Sequence, residues 1–99
     1  MLHILRHSPY DDDRLASCLR VLNSHQALLL IEDAVYALMP RSSSLASLGL
    51  LPPSIKLYVL EADLQARGMA LDSLPERVTR IDYLGMVELC AQSNKVLSW

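Results

Sequence analysis

An uninterrupted apolar run, Ala-Leu-Leu-Leu-Ile at residues 27–31, narrows the possible folds of this chain more than any other segment. Five residues are a typical strand length, and a strand that is apolar on both sides is typical of a parallel sheet covered by helices on both faces. Strands are also predicted at residues 2–5, 55–60 and 78–82, and a last short strand at residues 96–97. The chain is therefore predicted to form four or five strands.

Helical patterns separate these runs. The acidic residues 11–13 supply an N-cap and favourable charge for a helix start, and apolar residues then recur three and four positions apart until residues 23–24. Shorter helices are predicted at residues 34–39 and 62–67, the second ended by Gly68 in the left-handed conformation open to glycine. The first apolar stripe consists of Leu15, Cys18, Leu19 and Leu22.

The middle and the end of the chain follow the same alternation. A loop or cap is predicted at the serines 42–44, and one or two helical turns within residues 45–51. A helix that starts at Tyr83 is predicted to have one apolar face, formed by Tyr83, Met86, Val87 and Cys90. Alternating strands and helices with apolar strands predict an α/β fold of three layers, α/β/α, around a mostly parallel sheet of four to five strands.

Size and composition predict one folding unit that has a partner. The chain has 99 residues, of which 52% are apolar and 20% charged, which fits a single domain over residues 1–99. A domain of this length buries only about two-thirds of the surface that its unfolded chain exposes. Some apolar side chains must therefore face outward, and we expect a partner subunit to cover them.

Charge and hydropathy argue against two classes of partner. The net charge is -2 and the nine Lys and Arg residues are scattered singly, so direct binding of nucleic acid is not expected. The apolar runs are far shorter than the roughly 20 residues needed to cross a bilayer, and residues 1–6 are too short for a signal peptide. We expect no membrane contact and a cytoplasmic location.

Cys18 is the main candidate for chemistry. Its place on the first apolar stripe favours a buried thiol that only fills space. Arg14 lies one turn earlier on nearly the same face, and a guanidinium there would lower the pKa of the thiol and favour the nucleophilic thiolate. The acidic residues 11–13 would have the opposite effect. Both interpretations remain open from these residues alone.

The second cysteine, Cys90, has no basic neighbour within a turn and is assigned to the core. The two cysteines form no CxxC pair, and neither has a histidine or cysteine at metal-ligand spacing, so no metal site is expected. A disulfide between them is also not expected in a reducing compartment.

Other polar residues have simple structural explanations. His3 lies in a predicted strand and His25 in a predicted loop. His7 and Ser8 lie at the end of the first strand, where they could form a Ser-His-Asp triad with an aspartate. The sequence has no nucleophile elbow to support such a triad. Asp33 and Asp82 follow strands at the edge where α/β folds bind ligands, but both are good helix N-caps. The three glycines are not clustered, so no nucleotide cofactor is expected.

The chain resembles the TusB/DsrH family from end to end, and the order and spacing of several segments carry this resemblance. They are Met1-Leu2-His3-Ile4-Leu5 with Ser8-Pro9, Leu28-Leu29-Leu30-Ile31-Glu32-Asp33, Lys56-Leu57-Tyr58-Val59-Leu60, Asp63-Leu64-Gln65-Ala66-Arg67-Gly68, Ile81-Asp82-Tyr83 and Trp99. The resemblance implies a DsrE-like fold that assembles with TusC-like and TusD-like subunits into a heterohexamer, with two copies of each. It also implies that sulfur arrives from a TusA-like carrier and leaves through a TusE-like one, toward 2-thiolation of the wobble uridine of tRNA.

Within this family, the resemblance gives Cys18 two possible roles. DsrH-type chains have a cysteine in the first helix in a Leu-x-x-Cys-Leu context, which residues 15–19 match, whereas many TusB chains lack one. The chain departs from the family at Asp33-Ala34, where Asp-Gly is common; if that glycine serves a positive φ or a close approach, the local loop must differ.

Three functional hypotheses follow. The first is an assembly subunit of the sulfur relay for tRNA thiolation. The second is a DsrH-type persulfide carrier of dissimilatory sulfur oxidation, with Cys18 as the sulfur acceptor. The third hypothesis does not use the resemblance: the chain is a non-catalytic α/β interaction module with two buried thiols.

Overall fold

The computed structural model describes residues 1–99 and contains one sheet of five parallel strands, as the apolar runs predict. The spatial order is β4-β3-β2-β1-β5. The strands are β1 (Leu2–Leu5), β2 (Ala27–Leu30), β3 (Lys56–Leu60), β4 (Val78–Ile81) and β5 (Val96–Ser98). The predicted α/β class is confirmed, and the sheet is entirely parallel.

Four α-helices and one 3-10 helix connect the strands. They are α1 (Arg14–Val21), the 3-10 helix (Glu32–Leu38), α2 (Ser43–Gly49), α3 (Glu61–Ala66) and α4 (Tyr83–Gln92). The helix predicted at residues 34–39 is thus a 3-10 helix that begins two residues earlier. Gly68 has a φ of +68° after α3, which confirms the predicted left-handed termination.

The strand order places the helices on two faces of the sheet. The connections from β1 to β4 all step in the same direction, so the right-handed sense of parallel crossovers puts α1, the 3-10 helix, α2 and α3 on one face. The connection from β4 to β5 steps back across the sheet, which puts α4 on the opposite face. There α4 lies close to the sheet, since a Cβ added at Gly85 would be 3.1 Å from the Cβ of Ile81.

The main core lies between the sheet and the face that carries α1, α2 and α3. Inward side chains of the strands, such as Leu28 and Val59, meet buried residues of the helices, such as Leu15, Leu48 and Leu64. The opposite face has a smaller buried set, Leu2, Leu29 and Leu60. Register and strand alternation place these three on the α4 side.

Helix caps follow the predictions in part. Ser42 accepts the N–H of Leu45 at 3.0 Å and starts α2, and Asp82 accepts the N–H of Gly85 at 2.8 Å and starts α4. At α1, Asp13 occupies the N-cap position without a side-chain bond. Asp33 is not a cap, because the 3-10 helix already begins at Glu32 and the carboxylate pairs elsewhere.

The predicted apolar face of α4 is right for Met86 and Cys90, which are half-buried, and wrong for Tyr83 and Val87. Tyr83 and Val87 point outward with Leu84, whereas Met86 and Leu89 are half-buried. No residue of α4 is fully buried. The helix is apolar on nearly all sides, so periodicity could not distinguish the side that contacts the sheet.

None of the helices combines the length and the hydropathy that a bilayer span requires. No group of three or more His, Cys, Asp or Glu side chains is placed to hold a metal ion.

Candidate functional site

Cys18 lies in the middle of α1 and faces the main core. Its side chain is 0% exposed. Burial removes solvent that would stabilise the thiolate, and this raises the pKa of the Cys18 thiol to about 11. The thiol is therefore protonated at neutral pH, and no surface is available from which a partner could reach the sulfur.

The basic neighbour predicted to activate Cys18 is engaged elsewhere. The Nε of Arg14 lies 3.4 Å from a carboxylate oxygen of Asp12, and both side chains are at the surface. The thiol has no hydrogen bond to a charged group, and desolvation is the cause of its raised pKa. In this structure the interpretation of Cys18 as packing material accounts for its position.

Cys90 does not belong to the core, contrary to the prediction. It is half-buried on α4, away from the cluster that contains Cys18. The two cysteines are both free thiols and lie on opposite faces of the sheet.

The carboxyl edge of the sheet carries an ionic cluster that the sequence interpretation did not assemble. Arg67 of α3 donates from Nε at 3.0 Å and from Nη2 at 2.8 Å to one oxygen of Asp33. Its Nη1 lies 3.7 Å from a carboxylate oxygen of Asp63. The hydrogen bond to Asp33 raises the pKa of the Arg67 guanidinium further above its ordinary value. The spacing of four residues between Asp63 and Arg67 was the available sign of a pair on one helix.

The same cluster explains the loop that departs from the family pattern. Glu32, not residue 34, has the positive φ, at +51°, and its backbone N–H donates to Asp63 at 2.7 Å. Ala34 is fully buried and has no positive φ. The chain therefore makes this turn without a glycine, and Asp63 holds the left-handed residue in place.

A cavity of about 300 Å³ lies beside this cluster, between the 3-10 helix and the segment after α3. Its walls include Tyr36, Met39, Arg67 and Met69. The guanidinium of Arg67 lies over the Tyr36 ring, 5.9 Å from its centroid. Most of the lining is apolar, Arg67 is already paired with two carboxylates, and the Ser73 hydroxyl in the wall donates to the carbonyl of Ala70 at 3.1 Å.

The remaining candidates do not form a catalytic group. The Ser8 hydroxyl accepts the N–H of Tyr10 at 3.1 Å, which is a turn contact, and no hydrogen bond joins it to His7. His25 is exposed in a loop with a φ of +68°. His3 is buried, and its ring bonds to Gln26 and Trp99. No Ser-His-Asp triad is present.

Comparisons with known proteins agree with the fold and with one family. The family model described as DsrH like protein matches residues 7–96. Protein TusB of Erwinia tasmaniensis and Protein TusB of Yersinia pestis (strain Pestoides F) are each 36% identical over 99 residues, which cover 100% of this chain and 100% of each relative.

Two solved structures share the architecture. The ychN protein from E. coli has a TM-score of 0.84 at 19% identity, covering 99% of this chain and 97% of that one. A protein of unknown function from Methanobacterium thermoautotrophicum has a TM-score of 0.74 at 20% identity, covering 99% and 96%. At this identity the likeness shows the fold alone.

Proposed function

Because the chain belongs to the DsrH-like protein family, we propose that it is a subunit of a sulfur-relay complex and acts mainly in assembly. The observation that carries this proposal is the family match over residues 7–96, together with full-length relatives named TusB. The resemblance stated above extends the proposal to 2-thiolation of the tRNA wobble uridine, in the cytoplasm.

The burial of Cys18 supports the assembly role over a carrier role. A persulfide carrier needs a thiolate that a second protein can reach. Cys18 has neither property in the folded chain, since its side chain is 0% exposed and its thiol pKa is about 11. In the proposed complex, this chain forms the heterohexamer together with TusC-like and TusD-like subunits and contributes contacts between subunits. TusA-like and TusE-like carriers exchange sulfur with that complex.

Co-expression tests the assembly proposal. The chain carrying an affinity tag is produced with the TusC-like and TusD-like proteins of the same genome, and native mass spectrometry gives the stoichiometry. We expect a heterohexamer with two copies of each subunit. Recovery of the chain as a monomer, with both partners produced and folded, would contradict the subunit proposal.

A deletion strain tests the tRNA proposal. We expect loss of the chain to remove most 2-thiouridine from hydrolysed tRNA, measured by liquid chromatography and mass spectrometry. The wild-type chain and the Cys18→Ala variant should restore it equally. Unchanged thiolation in the deletion strain would contradict the tRNA role but not the assembly role.

The alternative proposal is a DsrH-type carrier of sulfur oxidation, and the position of Cys18 within Leu15-Ala16-Ser17-Cys18-Leu19 favours it. The Cys18 thiolate would attack the terminal sulfur of a donor persulfide; a new S–S bond forms, the donor S–S bond breaks, and the donor leaves as a thiolate without net oxidation. This step requires local opening of α1.

A persulfide donor distinguishes the two roles. The assembled complex is incubated with the donor, and the mass of this chain is measured for one added sulfur. The Cys90→Ser variant keeps Cys18 as its one thiol, and the Cys18→Ser variant keeps Cys90. The assembly proposal predicts no added sulfur on Cys90→Ser, whereas an added sulfur there that is absent from Cys18→Ser would establish the carrier role.

A further inference from the structure

The outward side of α4 carries three large apolar side chains that are exposed to solvent. Tyr83 is 58% exposed, Leu84 65% and Val87 60%, and their spacing places them together on one side of the helix. The surface continues at the edge strand β5, where Val96 is exposed on the same side of the sheet. An apolar surface of this kind on a small domain marks an interaction site.

The layer that contains α4 is incomplete. Three α-helices and the 3-10 helix cover the other face of the sheet, whereas α4 crosses this face alone. On the α4 side, register places Tyr58 and Ile4, which are half-buried, and Lys56 and Thr79, which are exposed. A second helix laid beside α4 would cover these side chains and complete the layer.

The charges around α4 identify the kind of partner. Glu88 is the only charged residue of α4, and it lies at one margin of the outward side, next to Leu84. Asp82 lies directly before the helix and Lys95 shortly after it, and Lys56 is exposed on the α4 side of the sheet. The centre of the surface is therefore uncharged, which suits an apolar protein surface and not a nucleic acid or an anionic membrane.

A second copy of this chain fits the surface less well than a different subunit. If two α4 helices packed together about a two-fold axis near Val87, the two Glu88 carboxylates would approach one another in a partly dehydrated contact. Like charges in such a place oppose association. A different subunit can instead place a cation opposite Glu88.

We propose that the outward side of α4, with the uncovered sheet beside it, binds an apolar helix of a homologous subunit of the same fold that carries a Lys or Arg opposite Glu88. The inference rests on the proposed function, because it names the surface through which the chain enters the complex. Leu84 and Val87 form the apolar centre of the contact, and Glu88 pairs at its margin.

Binding of the purified chain to the TusC-like and TusD-like proteins tests the proposal. We expect the Leu84→Asp variant to bind its direct partner at least about 30-fold more weakly, the scale of a truncated interface hot spot. Leu84 is largely exposed in the isolated chain, so the variant should keep the circular dichroism spectrum and the thermal midpoint of the wild type. A matched control is Leu50→Asp, which changes an 86% exposed leucine after α2 and should bind normally.

A second variant tests the predicted charge pair. We expect Glu88→Lys to weaken binding more than Glu88→Gln, and a charge reversal of the partner's basic residue to restore it. Equal binding by wild type and Leu84→Asp would overturn this inference and leave the subunit proposal standing. Failure of the wild type to bind either partner would overturn the subunit proposal itself. A dimer of the chain alone that Leu84→Asp disrupts would replace the proposed partner by a second copy.

Discussion

The indole of Trp99 donates a hydrogen bond to Nδ1 of His3 at 3.1 Å, across 96 positions of the sequence. The two rings also stack, with centroids 6.2 Å apart. Because an indole N–H can only donate, Nδ1 of His3 must be the unprotonated nitrogen, and Nε2 donates to the side-chain oxygen of Gln26 at 2.9 Å. This contact attaches the end of β5 to β1.

Replacing Trp99 by phenylalanine should keep the ring contact and leave Nδ1 of His3 without a donor. An unsatisfied buried polar group costs about 1–3 kcal/mol, so we expect urea denaturation followed by circular dichroism to show a loss of this size. The control is Tyr10→Phe, because Tyr10 is 67% exposed and should be unaffected. Equal stability of Trp99→Phe and wild type would show that the hydrogen bond contributes nothing.

The two thiols should differ in reactivity with a thiol reagent in the folded chain. Cys18 is sealed in the core and Cys90 is only half-buried. We expect the Cys90→Ser variant, which keeps Cys18, to react at least about tenfold more slowly than Cys18→Ser, and the difference to vanish in denaturant. Equal rates in the folded chains would mean that α1 opens freely.

The raised pKa of Cys18 also predicts a dependence of stability on pH. Burial raises this pKa from 9.0 to about 11 in the folded chain, so between these values the unfolded chain loses the proton more readily. Stability is therefore fully retained below pH 9 and falls as the pH rises through 11. Relative to Cys18→Ala, the wild type should lose on the order of 2 kcal/mol over this range. Parallel pH profiles of the two proteins would contradict the burial.

Glycine should stabilise the chain at residue 32 and not at residue 34. Glu32 holds a positive φ that costs a non-glycine residue roughly 1 kcal/mol, so Glu32→Gly should raise the free energy of unfolding by up to about that amount. Ala34→Gly introduces the residue common in the family, but here it removes a buried methyl group from a helical turn and should lower stability by about 1 kcal/mol. If urea denaturation showed that Ala34→Gly is more stable than wild type and Glu32→Gly less stable, the positive φ would belong to residue 34.

Arg77 should anchor the segment between α2 and β3. Its guanidinium donates to backbone carbonyls of Leu48, Gly49, Leu51, Pro52 and Ile55. We expect Arg77→Met to lose about 2–3 kcal/mol of stability and to speed amide hydrogen exchange in residues 49–55. Arg80→Met is the control, because Arg80 is exposed and forms no ion pair or side-chain hydrogen bond. A loss no larger than that of the control would contradict the anchoring role.

The strands and their parallel arrangement were predictable because the information is local. Apolar runs such as residues 27–31 contain no polar residue that could face solvent, and Gly68 and Asp82 mark helix boundaries through their own backbone chemistry. Cys18 was correctly placed on an apolar stripe by its spacing, and the stripe is indeed the buried side of α1.

The contacts across the fold were not predictable in the same way. Asp33 and Arg67 are 34 positions apart, and local sequence made Asp33 look like a helix cap. The inward side of α4 was predicted only in part, because Tyr83 and Leu89 are both apolar and hydrophobicity does not select one side. Arg14 was spaced to approach Cys18, but a nearer carboxylate on Asp12 binds it instead.

The position of β1 in the sheet has a consequence for folding kinetics. One neighbour of β1 is the next strand along the chain, whereas the other, β5, follows more than ninety residues later. The hydrogen bond from Leu2 to Lys95 and that from Trp99 to Ile4 therefore each close a loop of more than ninety residues. Strands β1 to β4 pair through shorter connections that do not involve β5. The sheet is completed, and the first strand ceases to be an open edge, only after synthesis has passed β5.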